Sequence, residues 1–377
     1  MPTTSRTDLD IAVVGAGPAG LSAAGALTQR GLRPVVFDES SRVGERWARR
    51  YERLCLHTVR RFSGLAHHPI PHSFPRYVPK DDFARYLDGY ARHFDLDVRL
   101  GHRVAAVRPL DGRWEIETDR GTWNVRAAIL ATGHYNRPLL PSWPGREAFP
   151  GRLLHSVDYR TGADFSGVRM LVVGIGNSGA EIAADLAEQG AASVAIAIRT
   201  PPPIVPRDML GVIPIQLFGL ALSPIPAPRL LDRLGVAMRR LAVGDLRKYG
   251  IGRAEWGPFT ARRPPVIDVG FLRLLKRGQI EVLPEVTGFT AEGVRFADGS
   301  ERPFDAVVAA TGFETALADV LRVPGAVDGK GMPIHGTVPG LYFIGYEETI
   351  GGHLHQANQE SRELAVELER YLMRAAA

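Results

Sequence analysis

The chain has 377 residues, room for two nucleotide-sized domains rather than one small core. Its 45% hydrophobic and 23% charged residues are ordinary for a globular protein, and a formal charge of +5 favours anionic ligands. Lys and Arg are scattered rather than run together, which argues against a nucleic-acid partner. Cys55 is the single cysteine, so an intrachain disulfide or redox-active cysteine pair is excluded, and a reducing, cytoplasmic setting is expected. The polar stretch Met1 to Asp10 has no signal-peptide character. The most apolar stretch, Met209 to Pro226, is broken by Pro214, Pro224 and Pro226 and falls short of the roughly 20 residues of a spanning helix.

In chain order the pattern repeats itself. Ile11 to Val14 reads as a buried strand and ends in Gly15-Ala-Gly17-Pro-Ala-Gly20. A helix follows to about Arg30 with Gly31 as its cap, then a parallel strand, Pro34 to Phe37. The second unit has a strand at Met170 to Val173, the turn Gly174-Ile-Gly176-Asn-Ser-Gly179, a helix to about Gln189 and a strand at Ser193 to Ile198.

Each unit is followed by an antiparallel insertion. In the first, Trp114 to Thr118 alternates and Thr122 to Val125 returns; in the second, Gly293 to Phe296 meets the hairpin signal Asp298-Gly299. Each half closes on an apolar strand with the same exit, Ala131-Thr132-Gly133 and Ala310-Thr311-Gly312. A strand at Leu341 to Ile344, followed by Gly345, precedes a helix from about Gln356 to Met373. The expected fold is α/β: two doubly wound, Rossmann-like dinucleotide-binding domains, each with a β-meander, the second inserted into the first. Residues 1–165 and 325–377 form the first domain and 166–324 the second, with an apolar insertion at about 207–262.

One GxGxxG is weak evidence; two, each after a strand and before a helix, are strong. The first glycine permits the tight turn, the second lets a pyrophosphate approach the backbone, and the third lets helix and strand pack closely. Asp38 lies eighteen positions after Gly20, where a carboxylate accepts ribose hydroxyls and repels a 2′-phosphate. Arg199 lies twenty positions after Gly179, where a guanidinium suits a 2′-phosphate. FAD is therefore expected in the first fold and NADPH in the second.

Phe149-Pro-Gly151-Arg-Leu-Leu-His155-Ser-Val-Asp-Tyr159 resembles the identifying pattern FxGxxxHxxxF/Y of the class B flavin monooxygenases, and Ala131-Thr-Gly133-His134 resembles their ATG linker. Nearly the whole chain is similar to the plant YUCCA branch, which converts indole-3-pyruvate to indole-3-acetate. The likeness runs through Arg53 to His57, Phe74 to Tyr77, Gly174 to Gly179, Val205 to Gly211 and Pro265 to Gly270. Gly44-Glu45-Arg46-Trp47 departs from the family's Gly-Gly-x-Trp, and Tyr159-Arg160 departs from the Baeyer–Villiger ending.

The resemblance implies NADPH reduction of FAD, capture of O2 as a flavin C4a-(hydro)peroxide, and oxygenation of a small organic substrate in a dry pocket. It adds Pro18, Ala19, Arg46, Trp47, Val104, Thr132 and Gly345 to the cofactor-binding glycines, with Ala131 and Gly133, and Asn177 and Ser178 to the second turn. It places His57 beside the isoalloxazine ring as the candidate catalytic side chain. His155 is expected to order the hinge. His67, His68 and His72, and His353 and His355, cluster without metal-ligand spacing, so no metal site is expected. For the insertion three readings are ranked: extra core, substrate entrance, then peripheral membrane contact. Decarboxylation of an aromatic 2-oxo acid leads; the alternatives are N- or S-oxygenation and an NADPH oxidase or reductase.

Overall fold

The computed structural model describes residues 7–336, 338–347 and 349–374. Met1 to Arg6, part of the polar N-terminal stretch, lie outside the described residues.

Strand β1 (Thr7–Val14) is the centre of the first sheet. It runs parallel to β2 (Pro34–Asp38), which pairs with β3 (Asp97–Leu100). On the other side it pairs with β6 (Gly121–Leu130), and the Leu341–Phe343 strand adds to the far edge of β6. The C-terminal strand thus returns to the first sheet. Its helix, His353–Arg374, packs on the helix Pro18–Thr28 that follows the first glycine turn. The Pro18–Thr28 helix carries Ala and Leu on every side and is buried almost throughout, as a helix sandwiched between a sheet and a second helix must be.

The second sheet is wholly parallel, in the order Glu281–Leu283, Ser193–Ala197, Arg169–Val173, Ala306–Ala309, Arg152–His155. In both sheets the strand before the glycine turn is flanked by the next strand on one side and the closing strand on the other. The turn therefore sits at the topological switch point, where α/β sheets open a crevice.

Period-2 alternation divides each sheet between two cores. Ile11 and Val13 face the helices, whereas Ala12 and Val14 join Trp114, Trp123 and Leu317 on the opposite face. In the second domain Met170 and Val172 face the helices, and Leu171 and Val173 pack under the meander residues Phe289, Val294 and Phe296.

Three details differ from the sequence reading. First, Arg152–His155 belongs to the second sheet, and Leu317 and Leu321 belong to the first core, so the division falls near the ribbon formed by Arg137–Pro138 and Phe313–Glu314. Short strands become legible as members of a sheet only through their partners. Second, β6 is one ten-residue strand: its first half closes the meander with β5 (Arg113–Thr118), which pairs in turn with β4 (Val104–Leu110), and its second half closes the doubly wound sheet. Third, the insertion is only partly core. Its helix Pro228–Val243 buries just Leu231 and Val243 and exposes the rest of its large aliphatics. No helix among the described residues is long and apolar enough to cross a membrane.

Candidate functional site

The two glycine turns have nearly the same geometry. Gly15 and Gly174 adopt φ of 108° and 102°, a region that L side chains avoid. An added Cβ would meet the carbonyl oxygen of Ala131 at 2.5 Å and of Ala310 at 2.6 Å, respectively. At Gly20 and Gly179 it would lie 1.9 Å from the carbonyl oxygens of Gly15 and Gly174, so these glycines let the helix start close against its strand. The alanines of the two Ala-Thr-Gly exits flank the same contacts, at 3.2 Å and 3.3 Å.

Gly17 and Gly176 are different. Their backbone is extended, and no protein atom outside their chain neighbours comes within 4 Å of an added Cβ. Nothing in the protein demands glycine there. The cradle is open on the ligand side, with the helix N-terminus behind it, which fits a pyrophosphate.

Around the first turn, Asp38 accepts the Ala16 N–H at 2.6 Å and the Ser40 N–H at 2.8 Å. Each oxygen accepts one backbone bond and keeps acceptor capacity for a ribose hydroxyl. Pro18 and Ala19 open the helix, and Gly345 (φ 80°) approaches so closely that an added Cβ would stand 2.5 Å from that of Ala19. Thr132 shares a 2.7 Å hydrogen bond with the buried Tyr346, and Gly133 takes φ 87°. The N–H groups of Gly101 and His102 bond the Ser40 and Asp38 carbonyls, which brings the start of β4 and Val104 beside the same strand ends. Arg46 pairs with Glu39 at 2.5 Å, and Trp47 packs edge-on to Phe83.

Around the second turn, Asn177 accepts the Ile267 N–H at 2.8 Å, anchoring the helix to the Val266–Asp268 strand. Arg199 lies just past its strand with its side chain 76% exposed and a loose 3.9 Å approach to Glu285. Its guanidinium is accessible to a phosphate. Replacing Arg199 by alanine is expected to raise the KM for NADPH roughly tenfold to hundredfold, the loss of one or two charge-assisted bonds, while NADH kinetics stay put. Equal losses with both nucleotides would remove Arg199 from 2′-phosphate recognition.

His57 stands at the seam of the domains. Its Nε2 pairs with the carboxylate of Glu181, which is almost fully buried on the second domain's Asn177–Glu188 helix. Buried Tyr51 lies against Ser178 and Glu181, and its phenol is pushed well above its ordinary range by burial and by the Glu181 charge. The i, i+3 pair Ser178 and Glu181 thus faces the first domain as one polar seam. Sequence reasoning missed Glu181; its only signal was an acid among the alanines of a buried helix. It also missed Glu360, whose Oε2 accepts the Gly345 N–H at 3.1 Å while Oε1 is buried without a partner. Burial raises its carboxyl above the usual range.

The Phe149 to Tyr159 segment explains itself residue by residue. An added Cβ at Gly151 would collide with the Phe149 ring at 2.5 Å and the Asp305 carbonyl oxygen at 2.7 Å. His155 Nε2 donates to the Gly312 carbonyl at 3.0 Å, and its Nδ1 accepts the Val157 N–H at 3.2 Å, an arrangement that needs a neutral ring. Burial lowers its pKa below the ordinary 6.5. The stability it contributes is complete above pH 6.5 and lost as pH falls through the lowered value, with a slope of at most about 1.4 kcal/mol per pH unit. Unfolding measured between pH 7.5 and 5 should be less pH-dependent in His155→Gln than in the parent. An unchanged profile would show that His155 does not drive it.

Of the histidines, His68 stacks on His93 at 4.2 Å and His355 stands edge-on to Phe62 at 5.9 Å. No group of metal-ligating side chains is gathered among the described residues. An open pocket of about 220 Å³ is lined by Val59 to Phe62 and Arg76 of the first domain and by Pro214 and Leu217 of the insertion. Gln216 ties the insertion to the first domain's loops, accepting the Val59 N–H at 2.9 Å and donating to the Gly351 carbonyl at 2.7 Å.

Two nested dinucleotide folds with open glycine cradles define a two-nucleotide oxidoreductase. Residues 8–320 match the model of the flavin-binding monooxygenase-like family. The chain is 36% identical over 323 residues to indole-3-pyruvate monooxygenase YUCCA1 of Oryza sativa subsp. japonica, covering 83% of this chain and 79% of that one. It is 34% identical to the Arabidopsis thaliana enzyme YUCCA6, over 89% and 84% of the two chains. Among solved structures, the flavin-containing monooxygenase of Stenotrophomonas maltophilia superposes with a TM-score of 0.75 at 25% identity, covering 97% of this chain and 99% of that one. An NADP-bound steroid monooxygenase superposes at 0.78 and, at 20% identity over 98% and 87% of the chains, shows the shared fold. The chain belongs to the flavin-binding monooxygenase-like family and is an FAD- and NADPH-dependent oxidoreductase.

Proposed function

We propose that this monooxygenase oxidatively decarboxylates an aromatic 2-oxo acid such as indole-3-pyruvate, using NADPH and O2. The carrying observation is the likeness to indole-3-pyruvate monooxygenases over more than four fifths of the chain, joined to the two open glycine cradles. FAD, when bound, supplies hydride acceptance and oxygen activation.

The chain's own residues do the rest. The turns at Gly15–Gly20 and Gly174–Gly179 hold the two pyrophosphates, Asp38 orients a ribose and Arg199 selects the 2′-phosphate. Gln216 ties the insertion to the backbone of Val59 and Gly351 and so holds it against the first domain. Pairing of His57 with Glu181 sets the position of the first domain's loop against the second domain's helix. We further infer a cytoplasmic setting, which suits a lone thiol, Cys55, held mainly protonated by burial.

The test is product analysis after anaerobic reduction by NADPH and mixing with oxygenated indole-3-pyruvate or with a thioether. Release of CO2 and indole-3-acetate supports the reading. Turnover of the thioether alone would move the enzyme to S-oxygenation, and hydrogen peroxide without organic product would make it an oxidase.

A further inference from the structure

The Pro228–Val243 helix carries an aliphatic stripe that the fold does not cover. Leu230, Leu234, Met238 and Leu241 recur at i, i+4, i+8 and i+11, on one face of the helix. Their exposures are 55%, 53%, 38% and 89%. The face that meets the protein is elsewhere, at Leu231 and Val243, with Asp232 and Arg239 half-buried beside it. A residue as exposed as Leu241 stands out from the surface rather than lining a cleft.

Charge accompanies the stripe. Arg229, Arg233 and Arg240 form an exposed row along one flank. The helix's one acid, Asp232, is already used: it accepts the N–H groups of Phe259 and Thr260, each at 2.9 Å. Across residues 207–262 there are nine basic and four acidic side chains, which accounts for the whole formal charge of +5; the rest of the chain balances to zero. Excess charge and exposed aliphatics are therefore concentrated in one segment.

We propose that this helix docks on an anionic lipid surface, lying in the plane of the headgroups. Aliphatic side chains would enter the acyl boundary while the flanking arginines extend to the lipid phosphates, the arrangement of an interfacial amphipathic helix. A second copy of the chain fits less well. Two-fold pairing through the stripe would bring arginine rows together with no free acid on the helix to meet them.

The experiment is co-sedimentation of the flavin-loaded protein with vesicles of phosphatidylcholine alone, or of phosphatidylcholine with phosphatidylglycerol. Partition onto the anionic vesicles only, reversed by high salt, is expected. Arg233→Gln with Arg240→Gln should weaken it by about fivefold per charge removed. Leu234→Glu with Leu241→Glu should abolish it, with flavin content and NADPH reduction unchanged in both variants. No partition onto anionic vesicles, or partition insensitive to both double variants, would overturn the proposal. So would a solution dimer that Leu234→Glu with Leu241→Glu dissociates while vesicles bind nothing, since that places a second copy on the stripe.

Discussion

Replacing Gly176 by valine is expected to leave a folded, flavin-loaded protein that NADPH no longer reduces, whereas Gly17→Val is expected to leave a folded protein without flavin. At both positions the backbone is extended and no protein atom beyond the chain neighbours lies within 4 Å of an added Cβ, so the change is expected to act on the ligand and not on the fold. Each loss should exceed about a hundredfold in affinity, because two charge-assisted backbone bonds to a pyrophosphate are displaced. Flavin absorbance of the purified variants and the rate of anaerobic bleaching by NADPH read the two effects separately. If Gly176→Val lost flavin and Gly17→Val kept it, the assignment of cofactors to the two folds would be reversed. Gly20→Ala and Gly179→Ala make the contrast, since a Cβ there collides with backbone and both should fail to fold.

The second large effect is expected at Asp185. Its buried carboxylate accepts the Tyr159 hydroxyl at 2.7 Å and the Gly162 N–H at 2.8 Å, with Arg53 3.8 Å away. Asp185→Ala strands a fully buried phenol and a buried amide together, which should cost about 3–5 kcal/mol. Tyr159→Phe removes one partner but leaves the carboxylate bonded to Gly162 and near Arg53, for about 1–2 kcal/mol. Denaturant unfolding of the two variants checks the order. A Tyr159→Phe loss equal to that of Asp185→Ala would place the importance of this corner in the ring's hydroxyl alone.

The end of the identifying pattern is thus a structural clamp. Tyr159 reaches into the second domain's helix, His155 holds the Gly312 exit, and Gly151 makes room for Phe149. The pattern was visible in the sequence, but its partners Asp185, Gly312 and Asp305 are separated from it by up to 157 positions. Only folding brings them into contact.

By itself the sequence determined the two doubly wound units, their glycine turns, the Ala-Thr-Gly exits and the strand-end residues Asp38 and Arg199. Those features are local: a turn of positive φ, a helix start and a buried strand each write their requirements into a few consecutive residues. The tertiary structure alone decided where the domains divide, that Glu181 pairs with His57, and that the Pro228–Val243 helix leaves its aliphatic stripe open. These depend on which surfaces meet. An amphipathic helix has the same sequence pattern whether its apolar face is covered or bare, and a histidine is the same letter whatever carboxylate the fold sets beside it.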